Sequence, residues 1–164
     1  MNSEELYKGY YSSPIGLMEV SGTEHFITAV KFTEKGQARN KPPFVIEKCI
    51  RQIDEYFQGT RKEFSLELKV EGSDFQKSVW EEMNTIKFAK TISYIELAKK
   101  LKQPLAVRAI GTANGKNPFC IIYPCHRVIG SNGQLIGYAG GLRRKQWLLE
   151  HERKCVGNYQ LALF

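Results

Sequence analysis

S-Y-I-E-L-A-K-K-L-K-Q-P-L-A-V-R-A-I-G-T-A-N-G, residues 93–115, decides how this chain is built. Ser93 stands three positions before Glu96, the spacing of a capping box, in which a hydroxyl and an acidic side chain cover the open backbone amides of a helix start. Leu97, Ala98 and Leu101 follow at helical spacing as the inward stripe. Gln103-Pro104 starts a second helix, L-A-V-R-A-I-G-T-A, which stops at Asn114-Gly115. Two short helices joined by a tight turn predict a helix-turn-helix. A helix laid in a major groove usually presents several long polar side chains to base edges, whereas this one offers Ala106, Ala109, Gly111, Thr112 and Ala113 around a single long cation, Arg108. Such a surface permits close approach to DNA, with the arginine entering a groove or base stack. Tight packing inside the domain needs the same small residues, and this segment alone fits packing better.

Upstream, S-D-F-Q at 73–76 is another capping-box pattern and predicts a helix to about Thr85, burying Phe75, Val79, Trp80 and Met83. A short extended piece, Lys90 to Ser93, leads into the pair of helices. Further back, residues 7–32 read as three short strands broken at Ser13-Pro14-Gly16 and Ser21-Gly22, a small antiparallel meander. Pro42 and Pro43 open a helix in which Phe44, Ile46, Ile50, Ile53, Tyr56 and Phe57 recur at helical spacing before Gly59. In F-S-L-E-L-K-V, Phe64, Leu66, Leu68 and Val70 alternate with polar residues as in a half-buried strand, and Gly72 closes the first unit.

Charge separates the two parts. The 164 residues carry a formal net charge of +7. Residues 1–71 hold ten Lys/Arg against eleven Asp/Glu, so the excess lies wholly in residues 72–164. That is the footprint of a polyanion binder, although charge alone serves a solvated basic surface equally well. No run approaches the roughly 18–20 apolar residues of a membrane span, and M-N-S-E-E-L-Y-K lacks the basic start and apolar run of a leader. The expectation is a soluble, cytoplasmic protein, nuclear in a eukaryote. Cys49, Cys120, Cys125 and Cys155 form no C-x-x-C pair, which argues against both a disulfide framework and a zinc site.

One cysteine has neighbours suited to chemistry. Phe119 to Tyr123 reads as a buried strand ending in Pro124-Cys125-His126-Arg127-Val128. An imidazole and a guanidinium beside a thiol favour the thiolate, the form that acts as nucleophile. His126 can act through a water if a carboxylate holds its other nitrogen, and Glu150 and Glu152 in W-L-L-E-H-E are both available. An isolated cysteine is more often a small core residue, the reading given to Cys49, Cys120 and Cys155. Around Cys125 the glycine-rich stretch 130–141 can bring backbone close to a planar ligand.

Taken in order along residues 73–152, F-Q-K-S-V-W, I-S-Y, A-V-R-A-I-G-T-A, the Asn117-Pro118 pair, P-C-H-R-V, G-Y-A-G-G-L and W-L-L-E-H-E resemble the O6-alkylguanine-DNA alkyltransferases, also called methylated-DNA–protein-cysteine methyltransferases. The family's I-P-C-H-R-V stands here with Tyr123 at its first position. The resemblance implies an α+β chain: a small antiparallel sheet with a helix in 1–71, ribonuclease H-like in the family, then a mainly helical DNA-binding and alkyl-acceptor domain in 72–164 with a winged-helix-like helix-turn-helix. It implies that Cys125 accepts the alkyl group, that His126 and Glu152 form its water-linked activating chain, and that Asn117 is the hinge between recognition helix and active-site segment.

Arg108 matches the residue that fills the space of the flipped nucleotide, with Ala109 beside it, and Tyr94 the one that presses on the target phosphate. Tyr138 matches the residue that packs on the flipped guanine, in a pocket shared with Val128, Ala139 and Tyr94. Gln76, Gln103 and Ser131 fall at positions of DNA contact. Two positions depart from relatives: Ala139 stands where some carry serine, losing a hydrogen bond to the lesion oxygen, and Ile136 replaces a smaller residue and narrows the pocket. The zinc ligands of some relatives have no counterpart, so neither metal nor cofactor is expected.

The expected partner is double-stranded DNA bearing O6-alkylguanine, with no obligate protein partner and a monomeric state; O4-alkylthymine is left open. Transfer without release would consume the protein in one event. Competing readings are a non-transferring lesion sensor, which would lack the acceptor cysteine, a helix-turn-helix regulator, which would not need P-C-H-R-V, and a cysteine hydrolase, which would turn over.

Overall fold

The computed structural model describes residues 4–162, with side chains through Gly157. The chain divides into two units, one of Met1–Val70 and Pro118–Cys120, the other of Glu71–Asn117 and Ile121–Phe164. The architecture is α+β.

In the first unit, strands β1 (Tyr7–Ser13), β2 (Gly16–Gly22) and β3 (Ile27–Phe32) form an antiparallel sheet in the order β1-β2-β3. The first hairpin closes at Ser13↔Gly16, where Gly16 takes a φ of 127° that a side chain would resist. Helix α1 (Phe44–Phe57) follows Pro43, whose missing N–H costs nothing at a helix start. It buries Ile46, Cys49, Ile53 and Tyr56 together with Met18, Val20, Ile27 and Val30 of the sheet. Gly9 of β1 permits this approach, since a Cβ there would stand 2.7 Å from both Ile46 Cγ2 and Ile50 Cδ1.

Two predicted strands take other forms. Residues 64–70 alternate half-buried and exposed as expected, yet they pair with the sheet through one parallel bridge, Ile27↔Leu68. The buried Gln52 amide acts as their neighbour instead, donating to Ser65 O (3.1 Å) and accepting from Ser65 N (2.9 Å). Phe119 to Tyr123 is buried but not a strand. Phe119 makes one parallel bridge to Val30, and Ile121 then turns the chain with a φ of +73°, a costly conformation for a β-branched residue.

The second unit opens with α2 (Asp74–Met83), where both halves of the predicted capping box form: Gln76 N donates to Ser73 Oγ and Ser73 N to Gln76 Oε1. Strand β4 (Ile92–Ser93) runs parallel to β5 (Val128–Ile129). Helix α3 (Tyr94–Lys100) begins with half a capping box, because Ser93 Oγ accepts from Glu96 N but its hydroxyl donates to the Glu96 carboxylate. Helix α4 (Val107–Gly115) starts three residues after Pro104, whose segment instead makes a turn with the fully exposed Leu105. The expected helix-turn-helix is therefore present with a longer connection. Trp80 Nε1 ties α2 to α4 by donating to Ala113 O at 2.8 Å. The last helix, α5 (Leu142–Ala162), buries Lys145, Leu148, Leu149 and Glu152 at positions i, i+3, i+4 and i+7. No helix among the described residues is long and apolar enough to cross a membrane.

Candidate active site

Ile121 through Val128 is an unbroken buried run of the second unit, and Cys125 is only 2% exposed within it. The cysteine opens a single 3-10 turn, Cys125–Arg127, rather than ending a strand. Its N–H donates to Tyr123 O at 2.8 Å, and Arg127 N donates to Pro124 O at 2.9 Å. The two residues that follow Cys125 in this turn enter a buried ion pair.

Glu152 is the centre of that pairing, and all four of its acceptor positions are used. One oxygen accepts from Arg127 Nε (2.9 Å) and Ala89 N (3.0 Å); the other meets His126 Nε2 (2.6 Å) and Arg127 Nη2 (3.1 Å). Arg127 uses its remaining arm on Ile86 O at 2.7 Å and lies over the Phe88 ring. Burial alone would raise the Glu152 pKa, but the adjacent His126 and the hydrogen bonds of His126 and Arg127 hold it well below its ordinary value. For His126 the largest influence is burial, which lowers its pKa against the opposing pull of Glu152. The consistent state is a carboxylate accepting from a neutral imidazole protonated on Nε2. Nδ1 is then a bare acceptor, buried and without a hydrogen-bond partner among the described residues. Of the two glutamates left open by sequence, Glu152 holds the histidine; Glu150 accepts from Gln146 on the surface of α5.

Two further buried polar residues belong to the site, and the sequence does not single them out. The ammonium of Lys145 donates to Val128 O (2.6 Å), Ile136 O (2.8 Å) and Gly137 O (3.4 Å), and lies 5.8 Å from the Tyr94 ring centre. Burial pushes its pKa down to about 8, while the charge of Cys125 works to raise it. Coulomb attraction is mutual, so ammonium at Lys145 and thiolate at Cys125 favour each other. Asn114, 1% exposed, donates from Nδ2 to Tyr94 Oη (3.2 Å) and to Cys125 O (3.5 Å). The signal that could have found Lys145 is a lysine on the inward stripe of an amphipathic helix; Asn114 reads in sequence only as a stop signal.

The other predicted residues are distributed as follows. Asn117 Nδ2 donates to Tyr123 O at 2.8 Å, joining the end of α4 to the segment before the cysteine. Arg108, Gly111 and Thr112 of α4 face Tyr94, Ser131 and Ile136 across a groove of about 470 Å³. Ala109 and Gln103 are exposed. Tyr94 is buried and turns its hydroxyl to Ile136 O at 3.2 Å. Tyr138 is half-buried and Ala139 exposed in the stretch before α5, and Val128 is fully buried with its carbonyl on Lys145. Gln76 has its side-chain oxygen in the cap of α2. No group of three or more potential metal ligands gathers among the described residues.

The chain is similar to known proteins along nearly its whole length. Residues 74–154 match the family model described as 6-O-methylguanine DNA methyltransferase, DNA binding domain, and residues 6–70 match its ribonuclease-like domain. A methylated-DNA–protein-cysteine methyltransferase of Mycolicibacterium paratuberculosis is 42% identical over 87% of this chain and 89% of the relative. One from Methanosarcina acetivorans is 41% identical over 92% of this chain and the relative's full length. Among solved structures, the Mycobacterium tuberculosis O6-methylguanine methyltransferase superposes with a TM-score of 0.83 at 39% identity, covering 92% of this chain and 94% of the other. The M. tuberculosis OGT in complex with DNA gives 0.82 at 40% identity, covering 89% and 92%.

Proposed function

Since this chain belongs to the 6-O-methylguanine DNA methyltransferase family, we propose that it repairs DNA by moving the alkyl group of O6-alkylguanine onto its own Cys125. Repair by alkyl transfer to a protein cysteine is the family's activity; the acceptor, the route and the stoichiometry are what we add. One observation carries the proposal. The residue that follows the buried Cys125 is a histidine with one nitrogen held by Glu152 and the other, Nδ1, left as a buried acceptor without a hydrogen-bond partner among the described residues.

The chemistry follows from those groups. Nδ1 takes the thiol proton through a water, and Glu152 steadies the imidazolium that forms. The thiolate attacks the alkyl carbon of O6-alkylguanine in line with the carbon–oxygen bond. A carbon–sulfur bond forms, the carbon–O6 bond breaks with its electron pair staying on the guanine oxygen, and a donor such as Tyr138 stabilises that oxygen. Reaching the carbon requires the nucleotide to leave the duplex, at a cost of a few kcal/mol that is least for a damaged pair. Arg108, on the groove wall, fills the vacated stack, while Tyr94 and Ser131 of the same groove, and the exposed Gln103, contact the DNA strand. The positive excess of residues 72–164 supplies sequence-independent, salt-sensitive attraction to phosphate. The thioether product has no chemical route back to thiol in this site, so each molecule acts once.

Intact mass after incubation with an O6-methylguanine duplex tests this, with Cys125→Ala as control. The expected result is a gain of about 14 Da, the mass of one methylene, in the wild type alone and stopping at one equivalent. An unchanged mass with preferential binding of the lesion duplex would replace transfer with lesion sensing.

A further inference from the structure

We infer that Asn114 is a positioning residue for the transfer, linking the helix that lines the DNA groove to the main chain of the acceptor cysteine. This rests on the reading of Cys125 as acceptor. Asn114 lies in α4, the helix that carries Arg108, Gly111 and Thr112 on its groove side. Its own side chain is buried, only 1% exposed. The two amide hydrogens have different targets: Tyr94 Oη at 3.2 Å and Cys125 O at 3.5 Å. The carbonyl of Cys125 fixes which way the amide lies, because the reverse orientation would set two acceptor oxygens against each other.

The cost of this arrangement points to a role beyond filling space. With Nδ2 used twice, Asn114 Oδ1 is buried and has no hydrogen-bond partner among the described residues. An unsatisfied buried acceptor is destabilising, and a leucine of the same branching would avoid it. Nor is Asn114 needed to hold α4 in place, since Trp80 Nε1 already bonds Ala113 O at 2.8 Å. What only the amide supplies is a connected path. Asn114 Nδ2 donates to Tyr94 Oη, which donates onward to Ile136 O at 3.2 Å and Gly137 O at 3.4 Å, the backbone across the groove from α4. The other hydrogen restrains the carbonyl of Cys125. One side chain therefore registers the thiol-bearing turn and the groove's far wall against the same helix.

The test is single-turnover transfer from an O6-methylguanine duplex, measured as the first-order rate constant at saturating DNA, beside the Kd for lesion-free duplex and the Tm. Asn114→Leu is expected to lower the rate constant at least about tenfold while leaving Kd within about twofold and the fold intact. Tyr94→Phe and the double variant complete a cycle, and the two losses are expected to be less than additive, because both break the same path. An unchanged rate in Asn114→Leu overturns the inference. So do strictly additive losses, or a rate that falls only in step with Tm and Kd, since each marks a residue that merely packs. If Asn114→Leu does not fold, Asn114→Ser, which keeps a shorter donor, is read in the same cycle: partial retention of rate supports positioning, and full retention overturns it. Absence of transfer in the wild type would refute the acceptor reading instead, and is distinguished by the unmodified mass of its Cys125.

Discussion

Each unit buries cysteine, and Cys49 of the first unit and Cys125 of the second have opposite surroundings. Cys49 lies in α1 among Ile46, Ile53 and Tyr56, and burial pushes its pKa up to about 12. Cys125 is as hidden from solvent, but its unit also buries His126, Arg127, Lys145, Glu152 and Asn114. Burying charge is costly unless each group is paired or hydrogen-bonded, and here His126 and Arg127 converge on one carboxylate while Lys145 donates to backbone carbonyls. The difference teaches that burial silences a cysteine unless polar groups are buried with it.

The comparison can be tested from the active-site end first. His126→Leu removes the proposed acceptor for the thiol proton and is expected to slow transfer by about 10² to 10⁴, the usual contribution of a general base. Single-turnover mass spectrometry at saturating duplex checks it, and a loss below about threefold would show that the imidazole is not needed. Glu152→Gln leaves Arg127 and His126 without their anion, and is expected to destabilise the fold by about 3 kcal/mol near neutral pH, as when one member of a buried ion pair is removed. Because the folded-state pKa of Glu152 is depressed, its stabilisation is present above its ordinary value of 4.5 and lost as pH falls toward the folded value. Urea denaturation at about pH 7 and about pH 3.5 should therefore show the gap between wild type and Glu152→Gln shrinking in acid.

A smaller effect belongs to Lys145. Its pKa falls from the ordinary lysine value of 10.5 to about 8 in the fold, so between these values the unfolded chain binds more protons and stability rises with pH. Lys145→Met should flatten that rise in denaturation curves taken across the same window. An unaltered profile would mean that the ammonium keeps its proton throughout. Smallest of all is Cys49→Ala: about 1 kcal/mol of stability for a trimmed core side chain, no change in transfer, and no labelling of Cys49 by thiol reagents in the native protein. Rapid labelling of Cys49 would abolish the contrast between the two thiols.

Much of this is legible in sequence because it is local. The capping box at Ser73, the spacing of α1 and the P-C-H-R-V run are each set by neighbours within a few residues. The departures come from groups distant in the chain. F-S-L-E-L-K-V has the alternation of a strand, but Gln52, thirteen residues before Ser65, supplies the hydrogen bonds that a second strand would have given. Phe119 to Tyr123 has the composition of a strand, but Ile121 breaks it with a positive φ. Pro104 reads as a helix start, but the helix begins at Val107. In the site, the choice between Glu150 and Glu152 depends on which face of α5 meets His126. The part played by Asn114 depends on Tyr94 and Cys125, respectively 20 and 11 residues away, and no local pattern could reveal it.

The carboxylate at the centre of the site has a consequence for the order in which the molecule comes into being. Glu152 lies 26 residues after His126, and it also closes on Ala89, 63 residues before it. A polypeptide still short of α5 contains the whole P-C-H-R-V sequence yet has nothing to hold its imidazole or neutralise its guanidinium. The proposed transfer is thus a property of the finished fold, armed only when α5 has docked.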